Sequence, residues 1–347
     1  MKKLALAGLL AATLTGCSSQ EEPQVLNLYN WSEYMPQEVL DRFEEETGIQ
    51  VVYTTYDSNE AMYARLKLLD ESGQYDLALP STYYVNKMRK EGLLEKINHE
   101  KLEGFEKLDP ELVNLEIDPD NQYSVPYLWG TTGLAYDASD VEGNEVKAWA
   151  DLWDDKYEGR VMLTNDMREV FHIGLRVLGH SGNSTDPEEI KAAYEKLTEL
   201  MPSVRTFNSD APRMPYLEGE TDIGMIWNGE AVMGEEDMPS LEYVYPEEGI
   251  IVWLDSFVIP KNAENADAAH QFISFVMRPE ISALISEDIG YATPNLAARE
   301  LLSDEVASDR TSYPTPEDLT NAEFQKDVGD DAMQVYTRYW EMLKSGQ

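Results

Sequence analysis

The chain has 347 residues, 42% hydrophobic and 10% aromatic, which is enough apolar side chain to fill one large core or two smaller ones and excludes an intrinsically disordered chain. With 27 Lys and Arg against 66 Asp and Glu, the formal net charge is -39, the reverse of a nucleic-acid footprint, so no nucleic-acid partner is expected. A single cysteine excludes an intrachain disulfide, a Cys-rich zinc site and an iron–sulfur cluster.

At the start, Lys2 and Lys3 precede an apolar run from Leu4 to Leu14 and small residues before Cys17, the pattern of a secretory signal. The run falls short of the roughly 20 residues that cross a bilayer, and no second hydrophobic span follows. The LTGC box ending at Cys17 resembles a bacterial lipoprotein cleavage site. That resemblance implies removal of residues 1–16, acylation of Cys17, and a polar lipidated tether over 17–24. Several acyl chains together make a lasting anchor, so the mature chain is expected outside the cytoplasm, in the periplasm, in contact with a membrane through its lipid alone.

Folding is expected to begin at Val25. VLNLYNW reads as a strand, Pro36 opens a helix with Val39, Leu40 and Phe43 on one face, and Gly48 ends it before the strand IQVVYTTY. A second helix is predicted over Asn59 to Glu71 with Met62, Leu66 and Leu69 on one side, followed by the short buried strand DLALP. The pattern returns with the strand RVMLT, a helix after Asp166, a helix over 187–201 opened by Pro187, and the strand DIGMIWN at 222–228. Alternating periods of this kind predict a parallel α/β architecture. The stretch from Asp330 to Leu343, with Met333, Tyr336, Tyr339, Trp340 and Leu343, predicts a docking helix with an aromatic face. No Pro/Gly/Ser linker divides the chain, so two lobes would have to share strands or crossovers.

Most catalytic signatures are missing. His99, His172, His180 and His270 stand singly, without metal-ligand spacing, and neither a metal site nor a cofactor is predicted. There is no GxSxG elbow, phosphate loop or GxGxxG turn, and Ser181 in GHSGN lacks the closing glycine. Asp166 with Glu169 or Asp255 could do the acid and base work of a glycosidase, but 66 acids produce close pairs by chance.

What stands out is aromatics beside carboxylates at predicted strand ends: Trp31, Glu33 and Tyr34 in NWSEY, Trp227 in IWNGE, Trp253 and Asp255 in VWLDS. Ligands of open α/β sheets bind outside the carboxyl ends of the strands. Indole and phenol faces attract ammonium groups by about 0.5 to 2 kcal/mol and cover the methylenes between them. A desolvated ammonium needs a carboxylate, so residues of both types suit a polycation.

The segments LNLYNWSEYMPQEVLDRFEEETGI, PSTYYVNKMRKEGLLEKI, TNDMREVF, FNSDAP, GMIWNGE, IGYATPNLAARELLS and FQKDVG resemble, in register from Val25 to the C-terminus, the spermidine/putrescine-binding periplasmic proteins of polyamine ABC transporters. The resemblance implies the type II periplasmic-binding-protein fold: an α/β protein of two discontinuous lobes, 24–132 plus 255–299 and 133–254 plus 300–347, closing over a ligand in the cleft between them. It implies aromatic walls at Trp31, Tyr34, Trp227, Trp253 and Tyr291, and carboxylates for the ligand nitrogens at Asp166, Glu169 and Asp255. Glu33, Tyr83 and Gln325 would lie near the terminal amines, while Ser32, Ser81, Arg168 and Ser209 share the same motifs. It further implies a monomer that is not an enzyme, prefers spermidine with putrescine also accepted, and delivers its ligand to the permease subunits of an ABC transporter. A polyamine receptor for a membrane signalling sensor would use the same pocket. A sugar-binding variant of the fold would use tryptophans too, but would not need three converging carboxylates.

Overall fold

The computed structural model describes residues 24–69, 73–140 and 146–346; the expected signal, the Cys17 anchor and most of the tether lie outside them. Ten strands among the described residues form one mixed sheet: β1 (Val25–Trp31), β2 (Gln50–Tyr56), β3 (Leu77–Ala78), β4 (Ser124–Asp137), β5 (Val161–Leu163), β6 (Val204–Phe207), β7 (Ile223–Trp227), β8 (Leu241–Val244), β9 (Ile251–Val258) and β10 (Glu323–Phe324). Their order is β2-β1-β3-β9-β4-β7-β5-β6, with β10 on β9 and β8 on β4.

The purely parallel expectation is corrected at the centre. β2-β1-β3 and β6-β5-β7 are parallel groups, as right-handed βαβ crossovers require. Between them β4 runs antiparallel to β7, β8 and β9, and β9 antiparallel to β3. Fourteen-residue β4 is nearly all buried and has no polar alternation, so its period gave no direction signal. In each parallel group the first strand lies between the next two, β1 between β2 and β3, β5 between β6 and β7. Each is therefore a point where successive crossovers leave in opposite directions, the crevice at which such sheets bind ligands.

The helices form where the spacing placed them. Gln37–Thr47 buries Val39, Leu40 and Phe43, and Gly48 ends it in the left-handed region at φ 74°, which glycine enters without a Cβ penalty. Asn59–Leu68 is shorter than predicted, with Leu69 at its C-cap and residues 70–72 outside the description. Asp166 caps Met167–Val177, Asp186 caps Pro187–Leu200, and the C-terminal helix Gly329–Ser345 buries Tyr336, Tyr339 and Leu343. Phe43 meets Phe272 of the helix Ala266–Val276 edge to face at 4.9 Å, where full burial contributes about 1.5–3 kcal/mol per side chain. No helix of the described residues is long and apolar enough to cross a membrane.

Candidate functional site

The carboxyl ends of β1, β3, β5 and β7 open on one cavity of about 500 Å³, including its solvent mouth. Fourteen residues line it, and eleven were expected from the sequence: Trp31, Ser32, Tyr34, Ser81, Asp166, Glu169, Trp227, Trp253, Asp255, Tyr291 and Gln325. The lining holds five carboxylates and neither Lys nor Arg.

The β5 end supplies the first pair of acids. Asp166 caps the helix that follows, its Oδ1 accepting from the Glu169 backbone N–H at 3.0 Å, and this turn brings both carboxylates to the positive end of the helix. Glu169 accepts from Thr132 Oγ1 at 2.5 Å and Thr164 Oγ1 at 3.0 Å, and from the Trp227 indole at 3.0 Å. Burial, then the mutual repulsion of the two acids, holds the Glu169 carboxyl well above its ordinary range, and burial raises Asp166 despite the cap. Trp253 donates to Thr132 Oγ1 at 3.1 Å, so one threonine ties a wall indole to the Glu169 carboxylate.

Asp255 lies inside β9 rather than at a strand end, facing Ser81 across an isolated bridge. Its Oδ1 is buried without a partner, as are the Tyr34 hydroxyl and Gln325 Nε2. Burial pushes its pKa up to about 7; the Ser81 and Tyr34 hydroxyls oppose the shift and Asp166 adds to it. A buried acceptor left open costs about 1–3 kcal/mol, a cost that a hydrogen-bond donor entering the cavity would remove.

The aromatics form a box around these acids. Trp31 and Trp227 meet edge to face at 6.0 Å, and Tyr291 meets Tyr34 at 5.3 Å and Trp253 at 5.4 Å. Trp31 is locked by its indole bond to the Leu79 carbonyl at 2.9 Å. Two glycines permit the close approach: a Cβ at Gly130 would meet the Trp253 ring at 2.7 Å, and one at Gly229 the Tyr291 ring at 2.6 Å.

Four expected residues do not line the cavity. Tyr83 stands behind Asp166, its hydroxyl 3.5 Å from Oδ2. Arg168 is buried between the Tyr83 and Tyr336 rings, at 5.6 and 5.1 Å, and donates to the Lys326 carbonyl at 3.1 Å. The Ser209 hydroxyl accepts from the Asn165 N–H at 2.7 Å. Glu33 is exposed, holds a left-handed backbone at φ 48° and pairs with Arg213 at 2.7 Å. Such a conformation costs a non-glycine residue about 1–3 kcal/mol. The lining residues missed from sequence are Asn59, Asp210 and Glu230. Asn59 bonds both the N–H and the hydroxyl of Ser81, and Glu230 follows Trp227 by one helical turn, a spacing that could have exposed it. Among the described residues no group of three or more His, Cys, Asp or Glu could hold a metal ion.

A family model of the bacterial extracellular solute-binding proteins matches residues 38–315. Over 346 residues the chain is 49% identical to the spermidine/putrescine-binding periplasmic protein of Escherichia coli K12, covering 100% of this chain and 99% of that one. It is 33% identical to that organism's putrescine-binding periplasmic protein PotF, covering 99% and 97%. Among solved structures, the substrate-binding protein PotD of a spermidine/putrescine ABC transporter from Streptococcus pneumoniae superposes with a TM-score of 0.77 at 39% identity, covering 93% of this chain and 99% of that one. The TpPotD lipoprotein of Treponema pallidum superposes with a TM-score of 0.80 at 30% identity, covering 92% and 99%. These relatives are binding proteins of transport systems, not enzymes.

Proposed function

The chain belongs to the bacterial extracellular solute-binding protein family, and from that premise we propose that its cleft captures a polyamine outside the cytoplasm and delivers it to an ABC permease. The observation that carries the reading is a lining with five carboxylates, four of them buried, no basic side chain, and an open acceptor at Asp255 Oδ1 inside an aromatic box. An amino acid or sulfate would call for Arg or a row of backbone N–H groups, and a sugar would not call for so many desolvated acids. The names of the relatives point the same way.

The finer assignment is that Asp166, Glu169 and Asp255 pair with the ligand nitrogens while Trp31, Tyr34, Trp227, Trp253 and Tyr291 cover its methylenes. Trp253, the wide aromatic two residues before Asp255, favours spermidine over putrescine by covering the extra aminopropyl arm. The lobes, 24–132 plus 255–299 and 133–254 plus 300–347, are divided within β4 and β9, the paired antiparallel strands between the two parallel groups, and close about them. Cys17 carries the lipid anchor.

Calorimetry with spermidine, putrescine and a neutral sugar tests the binding. The expected result is saturation at one polyamine per chain, with spermidine the tighter. Absence of polyamine binding, or uptake that never saturates, would remove the proposal, and putrescine binding equally well would remove the preference. For the anchor, intact mass of membrane-extracted protein should show an acylated N-terminus at Cys17, and an unmodified start elsewhere contradicts it.

A further inference from the structure

Resting on the polyamine reading, we propose that Arg213 is a specificity-determining residue, a cation held beside the cleft that neutralises one lining acid and so limits how many ligand ammonium groups the site accepts. Glu230 lines the cavity and is 4% exposed, yet its carboxylate is already matched: Arg213 Nη1 lies 2.8 Å from Glu230 Oε2. The same Nη1 lies 2.7 Å from Glu33 Oε2, so one guanidinium spans the loop after β1 and the helix that follows β7. Arg213 itself is not part of the lining.

Its placement is fixed at both ends. The loop before it is held by Asn208, whose Oδ1 accepts from the N–H groups of Asp210 at 2.9 Å and Ala211 at 3.1 Å. On the far side, the left-handed backbone of Glu33 turns that exposed acid to the guanidinium. Gly229, the neighbour of Glu230, packs so closely on the Tyr291 ring that a Cβ there would meet it at 2.6 Å, which sets Glu230 beside the aromatic box.

A carboxylate as buried as Glu230 keeps its charge more readily beside a cation, and here the protein supplies one. Ligand ammonium groups are left with Asp166, Glu169 and Asp255, and with Asp210 at the exposed rim. A further ammonium, as in a tetraamine, finds the buried Glu230 already paired and has only the solvent-exposed Asp210 left to it. The discrimination therefore works by withholding one buried acid from the ligand and leaves the other acids untouched.

The test titrates spermidine and spermine into the wild type, Arg213→Gln, Arg213→Lys and the double variant Arg213→Gln with Glu230→Gln, at fixed salt. Arg213→Gln uncovers Glu230 and should shift the affinity ratio toward the tetraamine by about tenfold or more, while the other two variants stay within about threefold of wild type. If Arg213→Gln does not fold, Glu230→Gln alone leaves Arg213 less neutralised and should move the ratio the other way by several-fold. A wild type that binds spermidine while the ratio stays constant in Arg213→Gln or Glu230→Gln overturns the role of Arg213. A wild type that binds neither amine overturns the polyamine reading and this inference with it.

Discussion

The β2-β1-β3 side brings Trp31, Ser32, Tyr34, Asn59 and Ser81 to the cleft and no carboxylate, whereas the β6-β5-β7 side brings Asp166, Glu169, Asp210 and Glu230 together with Trp227. The first wall is rigid and neutral: Trp31 is tied to the Leu79 carbonyl and Asn59 to Ser81. On the second, burial pushes Asp166, Glu169 and Glu230 toward protonation. Asp255, on β9 in the centre of the sheet, faces the neutral wall and leaves an oxygen open. The contrast teaches a division of labour. Most of the aromatic area comes from one side and most of the charge from the other, and the proposed capture of a cation draws on the buried acids.

Substitutions that exchange the character of the walls should break this contrast by graded amounts. Asp255→Asn should cost most, about 2–5 kcal/mol of spermidine affinity, because it leaves a buried ammonium facing a neutral amide. Glu169→Gln should cost less, about 1.5–3 kcal/mol, since its oxygens already accept from two hydroxyls and an indole. Trp31→Ala on the neutral wall should cost about 0.5–2 kcal/mol through lost ring contact, with little change in the salt dependence of binding. Calorimetry at fixed ionic strength orders the three, and a loss from Trp31→Ala exceeding that from Asp255→Asn would reverse the assignment of the walls.

A smaller effect sharpens the comparison through stability. The folded pKa of Asp255 is raised to about 7 from the ordinary carboxylate range, so its stabilising contribution is complete below about 4 and is lost as pH rises through 7. Ligand-free Asp255→Asn should therefore gain melting temperature relative to wild type at pH 8 and little at pH 4. Saturating spermidine should stabilise the wild type more at pH 8 than at pH 5. Thermal melts at these values check both statements, and a pH-independent difference between variant and wild type contradicts them.

Much of this was legible in the sequence because local chemistry and global fold agree. VLNLYNW and Gly48 delimit the first unit, Asp166 announced its helix, and eleven of the residues that the motif resemblance singled out line one cavity. What failed to show depends on long-range pairing. Neither the antiparallel centre at β4 and β9 nor the interior position of Asp255 has a periodic signature. Glu33 reads as a pocket acid in NWSEY, but its partner Arg213 lies 180 residues away, a separation no spacing rule reaches. Tyr83, Arg168 and Ser209 share the pocket motifs yet turn behind the wall to brace it, since neighbouring residues of a turn or helix face different ways.

The central claim is that particular buried acids, rather than a net charge of -39, hold the ligand. Its most direct test is a spermidine titration, at one salt concentration, of the wild type, Asp255→Asn, and a control carrying Glu45→Gln with Asp304→Asn, two exposed acids. The account predicts a loss of about 2–5 kcal/mol for Asp255→Asn and less than about 0.5 kcal/mol for the control, although the control removes more charge. Equal losses from the two would mean that the surface field collects polyamines and that the cleft does not.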